Sequence, residues 1–140
     1  MSLGGKLKTD ETTLIAGNGW PELSTGEFRQ LRRIPTTFDN ASMALAIRIA
    51  ANAVQNQLLT LLDADGNPPT FDETQTAIYQ RAVYGRAHAD LLMEFATQDR
   101  RKEANNAATD DIDQQDRFLS QSSRDIRQLL GFGRASIGVI

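Results

Sequence analysis

The chain has 140 residues, of which 40% are hydrophobic and 24% are charged, and its formal net charge is -3. This length and composition are typical of one soluble globular domain with a single core. The chain has no cysteine and only one histidine, His88, which excludes disulfide frameworks, thiol nucleophiles and zinc fingers. The sequence has neither the apolar stretch of a signal peptide nor an apolar run that could span a bilayer. Secretion and membrane insertion are therefore not expected.

Three regions are predicted along the chain. Residues 1–19 contain several glycines and lysines without hydrophobic periodicity, which predicts a flexible N-terminal arm. The helical domain is expected to cover residues 20–133, because hydrophobic residues recur there at helical spacing. Residues 134–140 are interpreted as a separate C-terminal docking arm.

A capping box predicts the first helix. Ser24 is followed three residues later by Glu27, and this spacing lets each side chain bond to the backbone of the other. Leu23 and Phe28 flank the cap and are expected to form its hydrophobic staple. Pro35 cannot continue a helix, so the first helix is predicted to be short.

The second predicted helix begins near Thr37 to Asn40, ends at about Leu62 and carries one apolar stripe. The apolar residues of this stripe and its edges are Met43, Leu45, Ile47, Ile49, Ala50, Ala51, Val54, Leu58, Leu61 and Leu62. The acidic segment after it resembles a calcium-binding loop, but Pro68 replaces the glycine of that loop and no glutamate closes it. A turn is therefore predicted.

A second capping box, Thr70 with Glu73, predicts a third helix that reaches about Gln98. The second and third helices have apolar stripes of similar length and a short connecting turn, so they are expected to pack antiparallel. A strip of small residues around Gly85 would let another helix approach the third helix closely. His88 lies next to this strip and is interpreted as a packed or solvent-facing residue.

The segment from Thr97 to Asp111 is polar and predicts a connector, and a fourth helix follows that stops at Gly131. Residues 134–140 alternate small apolar and polar side chains, as a strand does. A strand without a partner leaves its backbone groups unpaired, so these residues are predicted to pair with another protein. The alternative is a frayed tail.

Motifs for catalysis or phosphate binding are absent from the sequence. The net charge and the mixed signs along the chain give no overall electrostatic drive toward nucleic acid, and no helix is expected to carry a basic stripe. Two alternatives to a structural role stay open. One is a small helix-bundle enzyme that binds an anionic metabolite through Arg48, Arg81 and Arg86; the other is a host helical scaffold or regulatory protein.

Four segments carry a family resemblance. They are Trp20-Pro21-x-Leu23-Ser24-x-x-Glu27-Phe28-Arg29, Ile78-Tyr79-x-Arg81-Ala82-Val83-Tyr84, Ile126-Arg127-x-Leu129-Leu130-Gly131 and Arg134-x-Ser136-Ile137-x-Val139-Ile140. Their order and approximate spacing resemble the head completion proteins, or L proteins, of P-two-like tailed phages. The resemblance covers the chain from about residue 20 to its end.

The resemblance implies an all-α four-helix bundle of the head-to-tail adaptor type, with a structural role, no enzymatic activity and no cofactor. The subunits would form a ring, expected to be a dodecamer, beneath the portal protein, where the ring would stabilise the DNA-filled head. The ring would also offer a platform to a neck or tail-terminator protein, while DNA passes through it without sequence-specific binding. The protein would lie in the virion, and in the host cytoplasm during assembly. The implied portal-docking residues are Phe132, Arg134, Ser136, Ile137, Val139 and Ile140.

Overall fold

A computed structural model describes the backbone of residues 11–99 and 105–138, with side chains described for residues 11–94 and 112–132. The described chain is mostly helical with one small two-stranded sheet. The elements in chain order are β1 (Leu14–Ile15), β2 (Leu23–Ser24), α1 (Thr25–Arg32), α2 (Asn40–Gln57), a 3-10 turn (Leu59–Leu61), α3 (Glu73–Asp99) and α4 (Asn105–Gly138). The mainly helical architecture predicted from the sequence is therefore confirmed.

Helix α1 begins and ends as its sequence predicts. The Ser24 hydroxyl accepts a hydrogen bond of 3.0 Å from the Glu27 backbone N–H, which satisfies one of the free donors of the first turn. Arg33 then takes a left-handed conformation at φ 53° and ends the helix two residues before Pro35. The Arg29 guanidinium donates to the carbonyl of Pro35 at 2.9 Å and so fixes the following loop.

Helix α2 is shorter than predicted. It ends at Gln57, and a 3-10 turn takes up the chain as far as Leu61, because Leu58 leaves helical geometry at ψ 18°. The acidic segment that follows is a turn, as predicted. The Asp63 carboxylate accepts hydrogen bonds from the backbone N–H groups of Asp65 and Asn67, both at 2.9 Å, and is thus occupied by the backbone of its own turn.

The N-terminal cap of α3 is built by residues other than those predicted. Asp72 accepts a hydrogen bond of 2.8 Å from the Gln75 backbone N–H, and the Gln75 side chain accepts one of 3.0 Å from the Asp72 N–H. The predicted pair, Thr70 with Glu73, is therefore wrong by two residues. Asp and Gln fill the same two roles in a capping box as Thr and Glu, so the sequence offers two overlapping matches to one motif.

Helices α3 and α4 form the most extensive helix pair of the described structure. They run antiparallel, because residues later in α3 contact residues earlier in α4. Ser122 donates to the carbonyl of Ala82 at 2.8 Å, whereas His88, further along α3, stacks on Phe118 at 4.5 Å. The small-residue strip of α3 lies under α4, since the carbonyl oxygen of Phe118 is 3.7 Å from the position that a Cβ on Gly85 would occupy.

The prediction of a flexible arm over residues 1–19 is wrong for its described part, residues 11–19. Strand β1 pairs antiparallel with β2, with Ile15 opposite Leu23, and Ile15 is only 6% exposed. The Thr25 backbone N–H also donates to the carbonyl of Thr13 at 3.0 Å. A two-residue strand is too short to leave a periodic signal in the sequence, which explains the error. Residues 1–10 lie outside the described residues.

The predicted connector and C-terminal strand also differ from the structure. Residues 97–99 belong to α3 and residues 105–111 to α4, which leaves only part of the predicted connector, residues 100–104, outside the described residues. Helix α4 continues past Gly131 to Gly138, so the strand prediction is wrong for residues 134–138. A helix satisfies its backbone hydrogen bonds internally, whereas a lone strand cannot. Val139 and Ile140 lie outside the described residues.

Candidate interaction surfaces

The residues of the first two sequence motifs meet in the core and join the N-terminal segment to α3. Trp20 is 9% exposed and stacks on Tyr79, with ring centroids 5.6 Å apart and an interplanar angle of 9°. Pro21 is half-buried beside it in the sequence, and Leu23 and Phe28 are fully buried. These residues therefore stabilise the fold instead of forming an exposed site.

Tyr84 connects α3 to the start of α1. Its hydroxyl donates to Glu27 Oε1 at 2.6 Å and accepts from the Ser24 backbone N–H at 3.0 Å. The tyrosine thus takes the place that the glutamate side chain would hold in a complete capping box. Burial, followed by the nearby Glu27 carboxylate, raises the pKa of the Tyr84 hydroxyl well above its usual value. The hydroxyl therefore stays protonated and available as a donor.

His88 lies in an aromatic and cationic cluster where α1, α3 and α4 meet. Its Nδ1 accepts a hydrogen bond of 3.1 Å from Arg32 Nε, and the Arg32 guanidinium lies 4.5 Å from the centre of the Phe118 ring. Burial, followed by repulsion from Arg32, lowers the pKa of His88 to about 4. A neutral imidazole that accepts from an arginine acts as a packed structural residue, as the sequence predicts.

Arg81 forms a two-point ion pair with Asp125 across α3 and α4. Nε and Nη2 of the arginine donate to the two carboxylate oxygens at 3.0 and 2.8 Å. The Asp125 side chain is 2% exposed, whereas that of Arg81 is 51% exposed. The motif arginine therefore neutralises a buried carboxylate, and the hydrogen bond to Asp125 raises the pKa of its guanidinium.

The three arginines of the enzyme alternative do not converge on one site. Arg48 lines a shallow cleft of about 320 Å³ with Gly17 and Asn52, whereas Arg81 is occupied by Asp125. Arg86 lies one helical turn from Asp90. Burial raises the pKa of that carboxyl, and the charge of Arg86 offsets only part of this effect. Among the residues that the structure describes, no group of His, Asp and Glu side chains could hold a metal ion.

The outer side of α2 presents apolar residues to solvent. Leu45 is 60% exposed and Ile49 is 55% exposed, one helical turn apart, and Ala41 precedes them by a further turn on the same side. The sequence places Leu45 and Ile49 at the edges of the buried stripe, and for both residues that prediction is wrong. We call these three residues the α2 apolar face.

The second half of α4 presents a basic face that the sequence analysis missed. Arg117, Arg124 and Arg127 are all exposed and are spaced by seven and three residues, so they point to one side of the helix. The prediction that no helix carries a basic stripe is therefore wrong. The three arginines are not adjacent in sequence, and helical spacing is the signal that would have revealed them.

Four of the six implied portal-docking residues, Phe132, Arg134, Ser136 and Ile137, belong to the C-terminal end of α4, and Val139 and Ile140 lie outside the described residues. Phe132 is 38% exposed there. Arg134, Ser136 and Ile137 belong to the helix by their backbone, and their side chains lie outside the described ones. Within the described part of the chain, none of the helices combines the length and apolar character needed to cross a membrane.

Comparison with known proteins supports a phage structural role. The family model of the phage head completion protein (GPL) matches residues 69–140, which include both α3 and α4. The chain is also 26% identical over 149 residues to the probable head completion/stabilization protein of Haemophilus phage HP1 (strain HP1c1), covering 97% of this chain and 98% of that protein. No solved structure gives a significant match. Because the family model matches just over half of the chain, the protein belongs to the phage head completion protein (GPL) family, a family of structural proteins of the phage head.

Proposed function

We propose that the protein forms a ring beneath the portal, stabilises the DNA-filled head and provides the platform for the next neck or tail-terminator protein. Family membership carries this proposal, because the similarity includes the antiparallel pair α3 and α4. Copies of the protein assemble in the host cytoplasm and become part of the virion. DNA passes through the ring without sequence-specific binding.

The α2 apolar face supports self-association. Leu45 and Ile49 would stay in water in a monomer, and burying them against a neighbouring copy would remove apolar area from solvent. A closed ring requires a heterologous contact, in which this face meets a different surface of the next copy. We propose that the number of copies, twelve, follows the symmetry of the portal.

The C-terminal end of α4 supports attachment to the portal. Since α4 reaches Gly138, the docking segment would contact the portal as a helix and not as an added strand. A helix docks by laying one apolar side into a groove, so the exposed Phe132 is well placed to contact the portal. The remaining docking residues, Arg134 to Ile140, would extend that contact.

A truncation separates docking from folding. A protein that lacks residues 134–140 is expected to keep its helical circular dichroism, because the described core lies in earlier residues. The truncated protein should fail to sediment with portal-containing, DNA-filled heads that lack their own completion protein. The matched control is full-length protein with Leu14→Gln, a change at an exposed residue far from the C-terminus in sequence. Normal attachment of the truncated protein would rule out this docking segment.

A double variant tests the ring. Leu45→Gln together with Ile49→Gln replaces the large apolar side chains of the α2 apolar face without changing a core residue. We expect the double variant to stay monomeric at concentrations at which the wild type associates in sedimentation velocity or on portal-containing heads. Unchanged assembly of the double variant would show that copies contact each other elsewhere.

A further inference from the structure

The basic face of α4 has an orderly geometry. At 3.6 residues per turn, Arg117 and Arg124 project within about 20° of each other and Arg127 lies about 60° further around the helix. Arg117 and Arg124 are about 10.5 Å apart along the helix axis, which is about three base-pair steps of B-DNA at roughly 3.4 Å each. All three side chains are exposed.

The arginines of this face form no ion pair in the described part of the protein. Asp113 and Asp116 are exposed on the turn of α4 before Arg117, and Asp116 lines the same surface depression as Arg124 and Arg127, but neither carboxylate pairs with these arginines. Within the face, Asp125 is buried and paired with Arg81. Among the described residues, none of Arg117, Arg124 and Arg127 takes part in an ion pair or a hydrogen bond. The face therefore offers three unshared cations, although the whole protein has a net charge of -3.

The chemistry between the arginines favours a nucleic acid over a protein partner. The intervening outward positions are polar, with Ser120, Gln121 and Gln128. Described large hydrophobic side chains with high exposure occur on α4 only at Ile112 and Phe132, beyond the two ends of the face. Protein interfaces usually have an apolar centre, whereas DNA interfaces are polar and basic.

We infer that the face formed by Arg117, Arg124 and Arg127 binds the phosphate backbone of double-stranded DNA. Guanidinium groups donate to phosphate oxygens whatever the base sequence, so the contact positions DNA without reading it. The inference rests on the proposed place of the protein in a ring around DNA. It adds the surface of α4 that faces the duplex and a means by which the ring holds DNA in the filled head.

A charge-matched pair of variants tests the inference. Arg117→Gln with Arg124→Gln removes two charges from the face, and Arg33→Gln with Arg48→Gln removes two charges from exposed arginines on other parts of the chain. Glutamine is a good helix former, so α4 should persist, and circular dichroism checks this. Binding of each full-length protein to a duplex of random sequence is measured by fluorescence anisotropy from low to physiological salt.

The wild type should bind with the salt dependence of phosphate contacts, each of which contributes about 0.9 to the slope of log K against log salt. The face variant should bind at least tenfold more weakly at about 0.1 M salt, with a slope smaller by roughly two. The control variant should stay within about threefold of the wild type. Equal weakening of both variants, or a wild type that does not bind even at low salt, would overturn the inference.

Attachment to portal-containing heads separates this inference from the proposed function. A face variant that attaches normally but has lost DNA binding supports a DNA-facing α4. A face variant that keeps DNA binding and loses attachment would assign the arginines to an acidic protein surface and overturn the inference. If no variant, including the wild type, attaches to heads, the proposed function fails whatever the DNA titration shows.

Discussion

Replacing Arg81 by leucine should destabilise the protein far more than replacing any other half-exposed arginine. The change leaves the Asp125 carboxylate, 2% exposed, without the guanidinium that donates to both of its oxygens. Loss of one partner from a fully buried ion pair costs about 3–5 kcal/mol. Since the Arg81 side chain is itself 51% exposed, water can reach the vacated position. The expected loss is therefore about 2–3 kcal/mol.

Urea denaturation followed by circular dichroism measures this loss, with Arg124→Leu as the control on the adjacent helix. Arg124 is exposed and without an ion pair in the described structure, so its replacement should change stability by less than about 0.5 kcal/mol. Adding Asp125→Asn to Arg81→Leu removes the stranded charge, and the double variant should be more stable than the sum of the two single effects predicts. If Arg81→Leu costs no more than Arg124→Leu, the ion pair does not hold α3 to α4.

Three further changes test other parts of the structure. Tyr84→Phe leaves the Ser24 backbone N–H without its acceptor and should cost about 1–3 kcal/mol in urea denaturation, with no change in the helical content of the folded protein. Because the pKa of His88 is about 4 in the folded protein and near 6.5 when unfolded, the unfolded state binds the proton first. The free energy of unfolding of the wild type should therefore fall relative to that of His88→Gln as the pH drops from 6.5 to 4, by roughly 2 kcal/mol after allowance for solvent screening. If the difference in unfolding free energy between the two proteins does not change with pH, the burial of this imidazole is contradicted. Ile15→Ala should lower the free energy of unfolding by about 2 kcal/mol or more in thermal denaturation, whereas Leu14→Ala should leave it almost unchanged. Equal effects of the two changes would indicate that residues 11–19 are a flexible arm after all.

Local rules predicted the parts of the fold that depend on neighbouring residues. The Ser24 cap, the end of α1 before Pro35 and the turn at Asp63 each follow from side chains a few positions apart. The pairing of β1 with β2 could not be predicted from local sequence, because Ile15 is buried by residues that only the tertiary fold brings near it. The strand predicted for residues 134–138 failed for a related reason. Their mixed small side chains are compatible with both a strand and a helix, and these residues continue the preceding helix.

The candidate surfaces were predicted less well than the core. The motif residues Trp20, Tyr79 and Tyr84, which carry the family resemblance, are buried and packed in the core and so stabilise the fold. The basic face was missed because net charge averages over the whole chain. Acidic residues cluster before position 117 of α4, so the total conceals the excess of cations that follows.

The two proposed binding regions of α4 lie on surfaces that do not pack against the rest of the protein. Its buried side holds Ser122, Asp125 and Leu129 against the rest of the protein, whereas the arginines project from the opposite side. At about 1.5 Å per residue, the 34 residues of the helix extend about 50 Å. The basic face and the C-terminal end can thus contact different partners at once. Substitutions of the exposed arginines should leave stability within about 0.5 kcal/mol, so a loss of DNA binding in those variants would report on the surface and not on the fold.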